Sequence, residues 1–477
     1  MKQKRFLQKS ALAVFFLVSV ISCNKDDSVK PPNSEDQNLT IFFTNDMHGA
    51  LEDFAKIKHI VDAERANTNT LLLSAGDIFS GNPIVDQHED RGFPIIDVMN
   101  KTGYDVSVIG NHEFDYGVST LNDRMDQATF GWVCANVDAS SSVLNQPDPY
   151  TTVTVGELKI TILGLVETNG KQNDVIPSTH PWRVIDLTFQ RYSDVITQYE
   201  NLKESEDADV YIALTHLGSN TDFTIANDFP YFDAIVGGHS NHLNDGAVNG
   251  IPVVMAGTRL SHLGKMTLTI RDQEVTNFEI SLIDLSEYPD QDAELAEAIA
   301  DYNDNPEFAE VVGFANSHHE RNELGCFYTT AMKEYMNVDL SFQNGGGIRA
   351  DIDEGDVTRH EIFNMDPFNN GSVVFTMTAR EIKDFFIQSG AGLHVSGASF
   401  TRIDNDIEML DEDGNTIGDN DQLTIGINDF LPAIYDDYFS FDDAELRELT
   451  SAETVIDYLK TTNSVIDHEG CVRFFRY

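Results

Sequence analysis

Apolar, β-favouring stretches that end abruptly in Asp, His or Asn recur along the first half of the chain. The first is LTIFFTNDMHG, Leu39 to Gly49, which carries Asp46 and His48 at its polar tip. Its composition marks it as a strand. Spaced i and i+2, the two side chains can turn to one side of an extended backbone. TLLLSAGD ends on Asp77, and YDVSVIGNHEFD ends on Asn111, His112 and Asp115. DVYIALTHLG carries His216, and FDAIVGGHSN carries His239 and Asn241. Five such strand ends predict a metal centre at the carboxyl edge of a sheet.

Helical stretches, EDFAKIKHIVDAERA and SDVITQYENLKESE, separate the strands. This alternation predicts an α/β fold. Nearly continuous apolar runs such as TLLLSAGD suit central strands covered on both faces. TTVTVGELKITILGLV reads as a hairpin turning at Gly156 and Glu157, and KMTLTIRDQEVTNFEISLIDL supplies two edge-like strands. The sheets therefore carry antiparallel pieces. The first domain is expected over 39–290, an acidic connecting helix over 291–310, and a smaller α+β domain over 311–477. The latter opens with the helix ELGCFYTTAMKEYM and the strand VDLSFQ, which ends in NGGGIR. SVVFTMT then leads into the helix AREIKDFFIQ, and acidic turns join the strands that follow.

At 477 residues, two domains are the expectation. The formal net charge is −48, from 79 acidic residues against 31 Lys and Arg. That argues against a nucleic-acid polymer as partner, since phosphate neutralisation dominates such binding. Any anion site must be locally positive, and bound metals are one source of that charge. At the N-terminus, basic MKQKRFLQK precedes the short apolar run ALAVFFLVSVIS, the composition of a secretion signal over 1–22. VISC resembles a bacterial lipobox, which would place lipid on Cys23, and 23–38 reads as a flexible tether. The following NKDDS resembles the acidic export signal of surface-facing lipoproteins, so an outer-membrane location, periplasmic or surface-exposed, is expected. Beyond Cys23 only Cys134, Cys326 and Cys471 remain, an odd number that does not indicate a disulfide framework.

Each ligand candidate has an ordinary reading. A lone histidine after an apolar strand is more often a hydrogen-bonded structural residue. A carboxylate such as Asp77 at a buried edge is costly without compensation, and between two cations it is compensated. Two divalent ions suit phosphoester hydrolysis, because they acidify water and neutralise phosphate oxygens. Mixed nitrogen and oxygen donors fit zinc, manganese or similar ions. His112 need not be a ligand. Asp115, three residues on, can orient it, and a cationic imidazole there would stabilise the phosphorane or protonate the leaving oxygen.

The motifs DMHG, GD, GNHE, THLG and GGHSN resemble those of calcineurin-like metallophosphoesterases. Followed by NGGGIR, the set is similar to the secreted 5'-nucleotidase and UDP-sugar hydrolase family over nearly everything after residue 38. The resemblance implies a four-layer α-β-β-α first domain and a C-terminal domain that holds the nucleoside and rotates to bring phosphate to the metals. It implies Asp46, His48, Asp77 and Asn241 around one metal, and Asp77, Asn111, His216 and His239 around the other. His112 with Asp115 would be the catalytic pair. Asn344 would face the base, Arg349 the phosphate, and Phe368 would be one of two stacking rings.

Two departures stand out. The family's GGDG turn is replaced within NDFLPAIYDDYF, so either Tyr435 or Tyr438 supplies the second ring. A phosphate-binding arginine expected five residues before Gly325 is Glu320 here, with Arg321 one residue late. The expected activity is metal-dependent release of phosphate from 5'-nucleotides outside the cytoplasm. Hydrolysis of nucleotide sugars or cyclic nucleotides is the alternative within the same chemistry. A nucleotide-binding surface lipoprotein without turnover is the alternative of another class, and a pure binder has no need of His112.

Overall fold

The computed structural model describes residues 35–477, so the signal segment and Cys23 lie outside the described residues. Twelve strands build the two main sheets of the first domain. They begin with β1 (Gln37–Thr44), β2 (Asn69–Ser74), β3 (Val106–Val108), β4 (Gly131–Val133), β5 (Tyr150–Val155) and β6 (Leu158–Val166). They continue with β7 (Val210–His216), β8 (Ala234–Gly237), β9 (Leu243–Val248), β10 (Ile251–Ala256), β11 (His262–Arg271) and β12 (Glu274–Asp284). One sheet has the order β12-β11-β1-β2-β3-β4, the other β9-β10-β8-β7-β6-β5. β1 to β4 are mutually parallel, as are β6, β7 and β8, and this brings their carboxyl ends to shared edges.

Period-two alternation decides what each strand faces. Leu39, Ile41 and Phe43 of β1 share one buried cluster with Ile160, Ile162, Val210 and Ile212 of the opposite sheet. Phe42 and Leu72 point the other way, toward α1 (Phe54–Arg65) and α2 (Phe93–Thr102). On the far side, Leu163, Tyr211 and Ile235 pack against Ile225 and Ala226 of the helix Ser219–Asp228. The four layers are thus helix, sheet, sheet, helix.

Two details correct the sequence reading. SDVITQYENLKESE is not one helix but three short pieces, Tyr192–Val195, Ile196–Tyr199 and Leu202–Ser205. The β-branched run Val195, Ile196, Thr197 disfavours a continuous helix. β11 is an internal strand between β1 and β12, so only β12 is an edge.

The connecting helix α3 (Ala293–Asn303) starts at Asp292, whose side chain accepts from the Leu295 amide. Its Leu295 and Ile299 join the α1 cluster. In the second domain lie β13 (Leu340–Asn344), β14 (Gly371–Thr378), β15 (Gly392–Ser396), β16 (Gln422–Asn428), β17 (Glu445–Thr450) and β18 (Phe474–Arg476). Their sheet order is β17-β14-β16-β13-β15-β18. α4 (Arg321–Met336) and α6 (Ser451–Thr462) cover one face, and α5 (Ala379–Ser389) covers the other. α5 and α6 each begin with a Thr–Glu capping box, the local signal that starts the helix there.

Cysteine parity misled. Cys326 in α4 and Cys471 near the C-terminus form a disulfide across 145 residues, while Cys134 is free and buried in the first domain. Pairing of β18 with β15 brings the C-terminal segment alongside α4, where the bridge can close.

Candidate metal centre

Two donor clusters share Asp77. His48, Asp77 and His112 form one, and Asp77, His216 and His239 the other, with donor atoms within 4.8 Å of one another in each. Asp46 lies beside the first, its Oδ1 3.9 Å from His48 Nε2. Asn241 Oδ1 is 3.2 Å from His48 Nε2, and Asn111 Oδ1 is 2.9 Å from His239 Nδ1. The chain thus brings together all seven ligand candidates.

Local backbone shape accounts for this convergence. Asp46, His48, Asp77, His239 and Asn241 all have left-handed backbones, with φ between 48° and 75°. Non-glycine residues there carry strain that clusters at functional sites. Close approach also demands glycine at two points. A Cβ on Gly110 would lie 2.5 Å from both the amide and Oδ1 of Asp77, and one on Gly238 would lie 2.4 Å from the Ala75 carbonyl.

The donors fit cations. His216 Nδ1 donates to the Ala75 carbonyl at 2.7 Å, which turns the Nε2 lone pair toward Asp77 Oδ2, 3.0 Å away and not aligned as a hydrogen bond. Only a proton or a cation makes that contact favourable. Burial opposes charge on His216, but Asp77 outweighs it and lifts its pKa to about 10. Burial would raise Asp77, yet His216 and His112 hold it well below the usual carboxylate range. Asp46 is pushed up to about 6 by burial, against the pull of His216. Burial, reinforced by Arg349, drives His48 well below its ordinary value. The neutral imidazole is the form that binds metal.

His112 Nδ1 is 2.6 Å from Asp115 Oδ2, and its Nε2 lies 3.9 Å from Asp77 Oδ2. Burial works against an imidazolium here, and the Asp115 and Asp77 carboxylates raise the His112 pKa despite it. Glu113, unremarked in the sequence, is fully buried and accepts from the amides of Asp77, Ile78 and Gly110 at 3.0, 2.6 and 2.5 Å. It ties the β2 and β3 loops together.

The second domain reaches this centre. Arg349 Nη2 lies 3.4 Å from His48 Nε2. A cleft of about 260 Å³ is lined by Asp77, His112, Asn344, Arg349 and Phe368, among others. Phe430 lines it too, whereas Tyr435 and Tyr438 are half-buried and pack on Phe385 at the margin of the second domain's core. Arg321 is exposed at the start of α4, and its amide donates to Asp351. The three glycines of NGGGIR do not take positive φ; they form a 3-10 turn, in which a Cβ on Gly347 would meet Gln343 Nε2 at 2.5 Å. Sequence reasoning also missed Arg259, whose amide donates to the Asp46 carbonyl and whose Nη1 donates to Gly81 O at 3.1 Å. A lone cation after an apolar strand was the available signal.

Residues 39–242 match the calcineurin-like phosphoesterase family, and residues 303–440 match the 5'-nucleotidase C-terminal domain. The chain joins a calcineurin-like phosphoesterase domain to a 5'-nucleotidase C-terminal domain. It is similar to the trifunctional nucleotide phosphoesterase protein YfkN of Bacillus subtilis, 27% identical over 89% of this chain but only 34% of that longer protein. A 5'-nucleotidase of Vibrio cholerae is 24% identical, with 98% of both chains covered. The crystal structure of a 5'-nucleotidase precursor from Thermus thermophilus superposes with a TM-score of 0.79 at 24% identity, covering 91% of this chain and 98% of that one. The metal-donor clusters sit at strand ends of the phosphoesterase domain, and Arg349 and Phe368 come from the nucleotidase C-terminal domain.

Proposed function

We propose that the protein hydrolyses phosphate monoesters of 5'-nucleotides at a two-metal centre. The observation that carries this reading is the pair of donor clusters sharing Asp77, with Arg349 of the second domain aimed at the same point. Asp46, His48, Asp77 and Asn241 would hold one ion, and Asp77, Asn111, His216 and His239 the other. Such ions, zinc or manganese by donor type, acidify water and neutralise phosphate oxygens. Arg349 supplies a planar fork for the phosphate. His112 keeps Nδ1 on Asp115, which leaves Nε2 facing the cleft to deliver a proton to the leaving oxygen. Asn344 and Phe368 line the same cleft, where they would meet the nucleoside.

A nucleotide-sugar or cyclic-nucleotide ester is the second reading. Arg259 favours the nucleotide sugar of the two, because it adds a guanidinium near Arg349 and Arg321 that a diphosphate can use, with Asp86 and Glu52 offsetting part of that charge. The VISC box supports lipid on Cys23 and an outer-membrane location. Among the described residues no helix is long and apolar enough to cross a membrane. The test is phosphate release from AMP, a UDP-sugar, a 2',3'-cyclic nucleotide and an aryl phosphate with added Mn²⁺ or Zn²⁺. AMP should be preferred and EDTA should abolish turnover. Absence of EDTA-sensitive hydrolysis of every ester would refute the enzyme.

A further inference from the structure

The loop between β6 and the short helix Pro181–Val184, together with that helix, contacts Asn111, Asp115 and Phe368 at the cleft. The Ser178 carbonyl accepts from Asn111 Nδ2 at 3.0 Å. Thr179 Oγ1 donates to Asp115 Oδ1 at 2.7 Å, the oxygen that His112 does not use. Arg183 stands behind the same oxygen, Nη1 3.8 Å away. Its Nη2 donates across the domain boundary to the Phe368 carbonyl at 2.7 Å. Phe368 in turn lays its ring over His112. One side chain therefore holds the carboxylate behind the imidazole and the backbone of the residue in front of it. Burial disfavours the guanidinium, with Asp115 and Asp429 supporting it and Arg91 opposing it.

We propose that Arg183 is a positioning residue: tied at one end to the Phe368 carbonyl of the second domain, it fixes the His112–Asp115 pair for proton delivery. The inference rests on the role given to His112 above. In the step concerned, water oxygen bonds to phosphorus and the P–O bond to the leaving group breaks with its electron pair on that oxygen. His112 Nε2 supplies the proton that oxygen needs. An alkoxide leaving group requires the proton, whereas 4-nitrophenolate departs without it. A disturbed His112 should therefore show itself in leaving-group dependence and not in general loss of rate.

The experiment compares wild type, Arg183→Gln and Arg183→Lys on AMP, ribose 5-phosphate and 4-nitrophenyl phosphate at saturation. Ribose 5-phosphate has the alkoxide but no base, which separates this effect from lost stacking. Arg183→Gln should lower kcat on both alkyl esters about 10- to 100-fold, the scale of a small misplacement of a catalytic group, and leave the aryl ester nearly unchanged. Arg183→Lys, which keeps the charge and loses the fork, should fall between. Equal losses on all three esters, or no loss, would overturn the proposal. A second readout does not depend on turnover: the Nδ1–H proton signal of His112 in NMR, assigned with His112→Gln. It should be sharp in wild type and exchange-broadened in Arg183→Gln. An unchanged signal overturns the proposal even if the wild type proves inactive, and inactivity alone would count against the function and not against Arg183.

Discussion

The rings of Phe368 and His112 stack, with centroids 5.8 Å apart and planes 23° from parallel. A residue expected to meet a nucleobase thus covers the His112 imidazole. If Phe368 also stacks on a base, its removal should cost roughly 1–3 kcal/mol of binding. Phe368→Ala should raise KM for AMP about 5- to 150-fold and barely change that for a small aryl phosphate. Steady-state kinetics on both substrates decides. Equal losses would make the ring structural.

Asp77 and His112 should separate metal binding from chemistry. Asp77→Ala should lose metal along with activity, because both donor clusters depend on it. His112→Ala should retain metal and lose about 10²–10⁴-fold in kcat. Metal content by mass spectrometry, read beside kcat, checks the pair. Loss of metal from folded His112→Ala would make it a ligand.

Arg349 lies against the donor cluster, 3.4 Å from His48 Nε2, with its guanidinium carbon 5.8 Å from the centre of the Phe368 ring. Arg349→Ala should therefore weaken every phosphate monoester alike. Hydrogen bonds to charged groups contribute about 1.5–3 kcal/mol, or roughly 10- to 150-fold in kcat/KM. A loss confined to nucleotides would move Arg349 to the base.

The metal half of this site was legible because strand periodicity and ligand type coincide at the same positions. Asp46, Asp77, His216 and His239 each end an apolar run, and a parallel strand has only one carboxyl end to offer. The substrate half was less legible. Tyr438 was a candidate ring by alignment, but nothing local in IYDDY reveals that both tyrosines, half-buried, rest against Phe385 at the margin of the core. Thr179 and Arg183 sit in a loop with no periodicity, and their partners Asp115 and Phe368 are remote in sequence. The four layers were implied by the family resemblance, since strands such as β1, β2, β7 and β8 are buried on both faces and carry no alternating pattern, whereas the Cys326–Cys471 bridge depends on a strand pairing made at the very end of the chain.

Asp366 should make stability depend on pH. It is buried, accepts from Tyr328 Oη at 3.0 Å and from Ser451 Oγ at 2.5 Å, and its other oxygen has no partner. Burial raises its pKa from 3.8 to about 6, with Ser451 and Tyr328 offsetting part of the rise. Between these values the folded chain binds the proton more strongly than the unfolded one. Stability therefore falls as pH rises from about 4 to about 6, by at most about 3 kcal/mol from this group. Urea unfolding at pH 4.5 and 7 should show this component in wild type and not in Asp366→Asn.

Reducing the Cys326–Cys471 bridge should destabilise the second domain by roughly 2–5 kcal/mol. Urea titrations with and without a thiol reductant measure it, and Cys471→Ser should reproduce the reduced value. Coincident curves would show that the tail is held by β18 pairing alone.

The cluster that includes Phe54 and Ile57 of α1 continues through Leu295 and Ile299 of α3 and Phe308 of the connecting segment into Val312 and Leu324 of the second domain. The two halves are thus not detachable modules. Cutting the chain after α3 would leave each fragment with a raw apolar face. Swapping in a foreign second domain would require the replacement to match α3 side chain for side chain.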